Sequence, residues 1–283
     1  MRKILTATIS PSWPMKSRKE FNACLKNFEK LGFPVLNRKF KTRLLSPKEK
    51  AAEIHAAFRN SKAELIIARR GGYSSMKALP YIDYKLIGRN PKIFAGFSDI
   101  STLLNTLYER CNLVTLHSPM IINFEKPSRF TVKSFLNALS GFPDRNLFAG
   151  SRIEVFKHGK TSGTLKGGNL ITLSALLGTQ WETETSGAVV FFEDVDEKLH
   201  EIDRCLTHWI IAGKFKNIRG LILGDFRGSK PRDVYKVITE QMKVKFPVVF
   251  CENIGHVRNK ITLPVGAKVE LDTRGKTLLI KKI

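Results

Sequence analysis

The stretch PKIFAGFSDISTLLNTLYERC, residues 91–111, reads as a short apolar strand, PKIFAGF, turning directly into a helix, DISTLLNTLYERC. The same alternation extends toward the N-terminus. ILTATIS predicts a strand, and SRKEFNACLKNFEKLGF predicts a helix with Phe21, Leu25, Phe28 and Leu31 at helical spacing. FPVLN then predicts a strand, PKEKAAEIHAAFRN a helix opened by Pro47, and ELIIA a buried strand before the loop RRGGYSS and a helix from about Met76. This βαβα order predicts a doubly wound parallel sheet with helices on both faces.

Toward the C-terminus, Glu125 to Gly168 is rich in Pro, Ser, Gly and Lys around a helix, TVKSFLNALSG, and a strand, SRIEVFK. A domain junction is placed there, with a first domain at residues 1–150 and a second at 165–283. The second half reads as a helix at NLITLSALLG, the strand AVVFFE, a helix at KLHEIDRCLTHWIIAG, the strand GLILGDF and a helix at RDVYKVITEQMKVK. PVVFC, the loop ENIGHVRNKITLPVG and a hairpin at AKVELDTRGKTLLIKKI complete a mixed α/β domain.

Composition narrows the classes. In 283 residues, 42% hydrophobic side chains and 12 Pro exclude disorder, collagen and coiled coil as the main state. MRKILTATISPSWP fits neither a signal peptide nor a membrane anchor, and no run approaches the roughly 18 apolar residues of a spanning helix. Cys24, Cys111, Cys205 and Cys251 are scattered, which reads as reduced thiols of a cytoplasmic protein without structural zinc.

The formal charge of +23 is uneven, with 26 basic and 10 acidic residues in 1–150 against 22 and 15 in 151–283. Residues 180–205 hold eight acidic side chains and two basic ones. No zinc finger, RNP or KH signature accompanies the densest basic stretch, Arg38 to Lys50, so a nucleic-acid partner is not expected. Such a field still attracts anionic ligands.

Ligands of open α/β sheets bind beyond the carboxyl ends of strands, which singles out three places. Ser98 lies on the strand-to-helix turn GFSD, where the following N–H groups could stabilise an oxyanion; Ser followed by Asp is also an ordinary helix cap. Arg70-Gly71-Gly72-Tyr73 follows a buried strand, and paired glycines let the backbone approach a ligand or simply turn. Glu193 ends the strand AVVFF, where a carboxylate needs a partner, and His256 sits in a Gly-flanked loop. No HxxxH or HxH spacing suggests a metal, and no cofactor is called for. A serine, a carboxylate and a histidine could form a nucleophile, an orienting group and a general base.

The sequence resembles the serine LD-carboxypeptidases, the murein tetrapeptide carboxypeptidase family that also includes microcin C immunity peptidases. The segments that carry the resemblance are PSWP, EKAAEIHAAF, RRGGYSSMKALPYIDY, NPKIFAGFSDIS, VTLHSPM, LKGGNLITLSALLGT, FFEDVDEKLHEIDRCL, GLILGDF and IGHVRNKITLPVG, in the family's order. The resemblance implies a flavodoxin-like or Rossmann-like N-terminal domain and a smaller, swivelling C-terminal domain, with the active site in the cleft. It puts the nucleophile at Ser98, the carboxylate at Glu193 rather than its neighbours Glu197 and Glu201, and the base at His256. By the same analogy the N–H of Asp99 and one from Gly71 or Gly72 form the oxyanion hole. Arg70 and the turn Gly167, Gly168 and Asn169 are candidates for the substrate carboxylate, although Asn169 also fits a helix cap.

The implied activity is removal of terminal D-Ala from an anionic muropeptide by a cytoplasmic homodimer. Cleavage of a microcin C-like peptidyl-nucleotide is the alternative within the family, and a noncatalytic binder of anionic ligands the alternative outside it. Two departures stand out: Ser74 where relatives usually read RGGYG, and Ser118 where they usually read HGP. Wherever the replaced glycine has φ > 0, serine meets a steric penalty.

Overall fold

The computed structural model describes residues 3–283. They form two compact units with the boundary between Arg129 and Phe130. Residues 130–150, assigned from composition to the first domain, group with the second unit, which is therefore the longer.

The first unit contains β1 (Thr6–Ile9), α1 (Arg18–Lys30), α2 (Pro47–Arg59), β2 (Leu65–Ala68), α3 (Tyr84–Arg89), β3 (Ile93–Gly96), α4 (Ser101–Cys111) and β4 (Thr115–His117). Strands β1 to β4 lie side by side in that order and run parallel. All four residues of β2 are buried, as expected of a parallel strand covered on both faces. Ser17 caps α1, and Ser46 with Glu49 forms a capping box on α2 with Pro47 in the first turn.

FPVLN is not a strand. It makes one isolated bridge, Thr6 to Val35, because Pro34 offers no N–H and the side chain of Asn37 takes the N–H of Thr8 at 2.7 Å in place of backbone. The helix expected from Met76 is a 3₁₀ helix, Ser75–Tyr81, with Pro80 inside it, followed by α3.

The second unit contains α5 (Arg129–Leu139), which begins at the boundary, then β5 (Ile153–Lys157), β6 (Lys160–Asn169), α6 (Leu170–Ser174), β7 (Ala188–Asp194) and α7 (Leu199–Ile211). It continues with β8 (Gly220–Phe226), α8 (Pro231–Gln241), β9 (Val248–Cys251), β10 (Leu263–Val265), β11 (Lys268–Asp272) and β12 (Thr277–Lys282). Its main sheet has the order β12-β11-β6-β7-β8-β9-β5, parallel from β6 to β9 and antiparallel toward both edges.

Strand β6 has no counterpart in the apolar pattern, since KTSGTLKGGN carries almost no hydrophobic side chains. Its glycines are needed for close approach to β7. A Cβ on Gly163 would lie 2.6 Å from the carbonyl oxygen of Gly187, and one on Gly167 only 1.9 Å from that of Phe191. One face of the sheet packs Phe192, Leu221 and Leu223 against Leu206 and Trp209 of α7 and Val234 and Ile238 of α8. The buried Trp209 indole N–H donates to Ser174 Oγ at 2.8 Å. Among the described residues no helix is long and apolar enough to cross a membrane.

Candidate active site

Ser98 stands where β3 becomes a helix, half-buried, with φ of 62°. That left-handed backbone is unusual for serine and is incompatible with the extended geometry of a helix cap. Helix α4 instead starts from Ile100 without a side-chain cap, and Ser98 opens a 3₁₀ turn, Ser98–Ile100. Gly96 permits this turn, because a Cβ there would lie 2.8 Å from Ile100 Cγ2. A serine in left-handed backbone directly after a parallel strand is presented by that backbone at the sheet's end, as in strand-turn-helix nucleophiles.

The glycine loop meets this turn. A Cβ on Gly71 would lie 3.1 Å from both Cβ and Oγ of Ser98, so the bare backbone of Gly71 rests against the hydroxyl. Gly72 has φ of 126° and faces the Trp13 ring instead. The adjacent arginines differ: Arg69 is buried and donates to Thr8 Oγ1 at 2.9 Å and the Lys39 carbonyl at 2.8 Å, whereas Arg70 is only half-buried.

A buried polar network lies behind the loop. Asp99 Oδ2 accepts from Ser12 Oγ and from the Ser75 N–H at 2.8 Å, and Ser75 Oγ donates to the Asp99 carbonyl at 2.5 Å. Lys50, 1% exposed on α2, donates from Nζ to the Ser74 carbonyl at 3.1 Å and to Ser74 Oγ. Burial lowers the Lys50 pKa against the opposing pull of Asp99, and burial raises the Asp99 pKa against its hydrogen bonds from Ser12 and Ser75 and the charge of Lys50. Ser74 has φ of 86°, so it carries the steric penalty expected of a serine in a glycine position; Ser118 has no positive φ. Lys50 escaped the sequence reading, although a lysine four residues before Ile54 and eight before Phe58 lies on the buried stripe of α2.

In the second unit, Glu193 is fully buried at the end of β7, and its Oε2 lies 2.8 Å from His256 Nδ1. Gly255, with φ of 122°, makes the contact possible, since a Cβ there would lie 3.1 Å from Glu193 Cβ and 3.2 Å from Oε2. The loop is tied down on both sides of His256. Arg227 Nη2 donates to the His256 carbonyl, the buried Lys260 Nζ to the Gly255 carbonyl, and Lys260 N–H to Thr131 Oγ1 at 2.9 Å. Burial pushes the Lys260 pKa down to about 8, with Glu193 pulling the other way.

The rival carboxylates have other engagements: Glu201 caps α7 by accepting from the Lys198 N–H at 2.7 Å, and burial and Glu201 raise the pKa of Glu197. Asn169 does cap α6, accepting from Thr172 N–H at 3.1 Å, and its amide donates to Asp194 Oδ1 at 2.9 Å. Asp194 also accepts from the backbone of Ile171 and Val195, and burial beside Glu193 pushes its pKa up to about 6. Gly168 has φ of 145° at the end of β6. The structure thus joins Glu193 to His256 in the second unit and Ser98, Asp99 and Gly71 in the first.

Two family models match the chain: LD-carboxypeptidase N-terminal domain over residues 6–118 and LD-carboxypeptidase C-terminal domain over 162–271. A probable murein peptide carboxypeptidase of Bacillus subtilis (strain 168) is 31% identical over 243 residues, covering 82% of this chain and 76% of the relative. The microcin C7 self-immunity protein MccF of Escherichia coli is 29% identical over 82% of this chain and 78% of its own length. The crystal structure of muramoyltetrapeptide carboxypeptidase from Oxalobacter formigenes aligns with a TM-score of 0.83 at 25% identity, over 98% of this chain and 97% of the other.

Proposed function

The chain belongs to the LD-carboxypeptidase family, and on that premise we propose that it removes the terminal D-Ala from a murein tetrapeptide, with Ser98, His256 and Glu193 as its catalytic residues. The observation that carries the assignment is the 2.8 Å contact between His256 Nδ1 and the fully buried Glu193 carboxylate. A carboxylate on Nδ1 holds the proton there and leaves Nε2 as the basic nitrogen, the tautomer a serine peptidase needs.

The chemistry is acyl transfer. Nε2 takes the Ser98 proton as Oγ attacks the carbonyl between the diamino acid and D-Ala, and the negative charge that develops on that oxygen is met by N–H donors. Asp99 N–H follows the nucleophile, and Gly71 is favoured over Gly72 because it rests against Ser98. The imidazolium, stabilised by Glu193, returns its proton to the leaving amine, D-Ala departs, and water hydrolyses the acyl-enzyme by the same route. Arg70 is the candidate for the D-Ala carboxylate. Asn169, already engaged as a cap and with Asp194, has less support in that role. The setting would be cytoplasmic recycling of wall peptides by a homodimer, with the basic surface drawing in anionic muropeptides.

The relationship to MccF favours one second reading, cleavage of a microcin C-like peptidyl-nucleotide by the same residues. Purified protein and a Ser98→Ala variant are incubated with a tetrapeptide ending in D-Ala and, separately, with an aminoacyl sulfamoyl adenosine, and products are followed by mass spectrometry. Release of D-Ala by the wild type alone supports the first reading. Cleavage of the nucleotide alone supports the second, and hydrolysis of neither refutes both.

A further inference from the structure

Trp13 keeps 46% of its surface exposed, although its segment is bonded to the nucleophile turn on one side and to Arg70 on the other. Ser12, its neighbour, donates to Asp99, the residue after Ser98. The Trp13 ring packs directly against the glycine loop, since a Cβ on Gly72 would sit 2.6 to 2.8 Å from three ring carbons. Two consecutive glycines therefore touch the nucleophile with one residue and the indole with the next.

Arg70 completes the arrangement. Its Cζ lies 5.8 Å from the Trp13 ring centroid, and Nη1 donates to the Pro14 carbonyl at 3.4 Å. Among the described residues no carboxylate pairs with Arg70, in contrast to Arg38, Arg43 and Arg232, which each bind a glutamate. An aromatic face can hold a guanidinium without neutralising it, and the N–H edges remain able to receive a carboxylate in bidentate fashion. Holding the cation in advance reduces the ordering cost when the anion arrives.

We propose that Trp13 is a positioning residue that sets specificity, its indole holding the Arg70 guanidinium beside the nucleophile turn as the receptor for the substrate's terminal carboxylate. The inference deepens the reading of Ser98 as a carboxypeptidase nucleophile and rests on it. It explains how one loop joins exopeptidase selectivity to the chemistry: Arg70 takes the end of the peptide while Gly71, the next residue, borders the reacting hydroxyl.

The test uses the full chain carrying Ser98→Ala, which binds without turnover, and two probes: a tetrapeptide ending in D-Ala and the same peptide with a C-terminal amide. Calorimetric titration gives the ratio of their affinities. Adding Trp13→Ala is expected to lower the preference for the acid about 10-fold, the scale of a partly desolvated cation–π contact. Trp13→Phe retains most of the preference, and Trp13→Ala has no further effect once Arg70→Ala is present. An unchanged ratio, equal losses for acid and amide, or no binding of the acid overturns the proposal. The outcomes also separate it from the activity: discrimination that depends on Trp13 with no D-Ala release by the wild type defeats the peptidase reading alone. D-Ala release with discrimination indifferent to Trp13 defeats only this inference.

Discussion

Replacing Ser74 by glycine sets two opposing terms against each other in the loop that borders the nucleophile. At φ of 86° the serine is in left-handed backbone, and glycine would relieve about 1–2 kcal/mol of steric cost. Against this, the buried Lys50 ammonium donates to Ser74 Oγ, a charge-assisted bond contributing about 1.5–3 kcal/mol, and glycine adds about 0.5–1 kcal/mol of backbone entropy lost on folding. Lys50 keeps its bond to the Ser74 carbonyl in either case. The difference favours serine, so Ser74→Gly is expected to destabilise the protein by about 1–2 kcal/mol. Ser74→Ala keeps the strain and loses the hydroxyl, and is expected to be at least as unstable. Urea unfolding at neutral pH reads both as shifts in midpoint at unchanged slope. A glycine variant more stable than wild type would show that strain outweighs the Lys50 bond, and would refute the account of Ser74 as an anchor.

Glu193→Gln keeps the shape but no longer favours the proton on His256 Nδ1, and D-Ala release is expected to fall by roughly 10³- to 10⁴-fold, with little change in thermal unfolding. Retention of activity would remove Glu193 from the mechanism. Gly167→Ala drives a Cβ to 1.9 Å from the Phe191 carbonyl oxygen and is expected to leave little folded protein, whereas Gly178→Ala meets nothing within 4 Å and bears only the cost of its φ of 78°; soluble yield and melting temperature distinguish them. Lys260, with its pKa pushed down to about 8, loses its proton in the folded chain while the unfolded chain still holds it. Above that pKa the unfolded state binds more protons, so stability contributed by this site rises with pH until the ordinary lysine value is reached, by up to roughly 3 kcal/mol. Denaturation across that range should show wild-type stability gaining on that of Lys260→Met as pH rises, and a pH-independent offset between the two would contradict the burial argument.

The alternation of elements around residues 91–111 was legible because parallel strands buried on both faces must be apolar throughout, and FAG and LIIA are. The same rule hid β6. A strand that packs backbone against backbone needs glycine rather than valine, and so reads as loop. It also misplaced FPVLN, where local polar groups in Asn37 displaced a ladder that the apolar residues alone would predict. Lys50 shows the opposite case: the helix was clear, but a cation on its buried face has meaning only when the carbonyl and hydroxyl it reaches are known.

By itself the sequence determined the kinds of element, their order and the residues whose chemistry was worth attention: a serine after an apolar strand, a glutamate at the end of another and a histidine between turn residues. Those properties depend on neighbours in the chain. Tertiary structure decided the left-handed turn at Ser98, the partner that fully buried Glu193 takes in His256, and the placing of the Arg70 guanidinium over Trp13. Glu193 and His256 are 63 positions apart and Arg70 and Pro14 are 56, and no local preference specifies what such separations bring together. Packing and the accounting of buried polar groups do, and they act only once the chain has closed on itself.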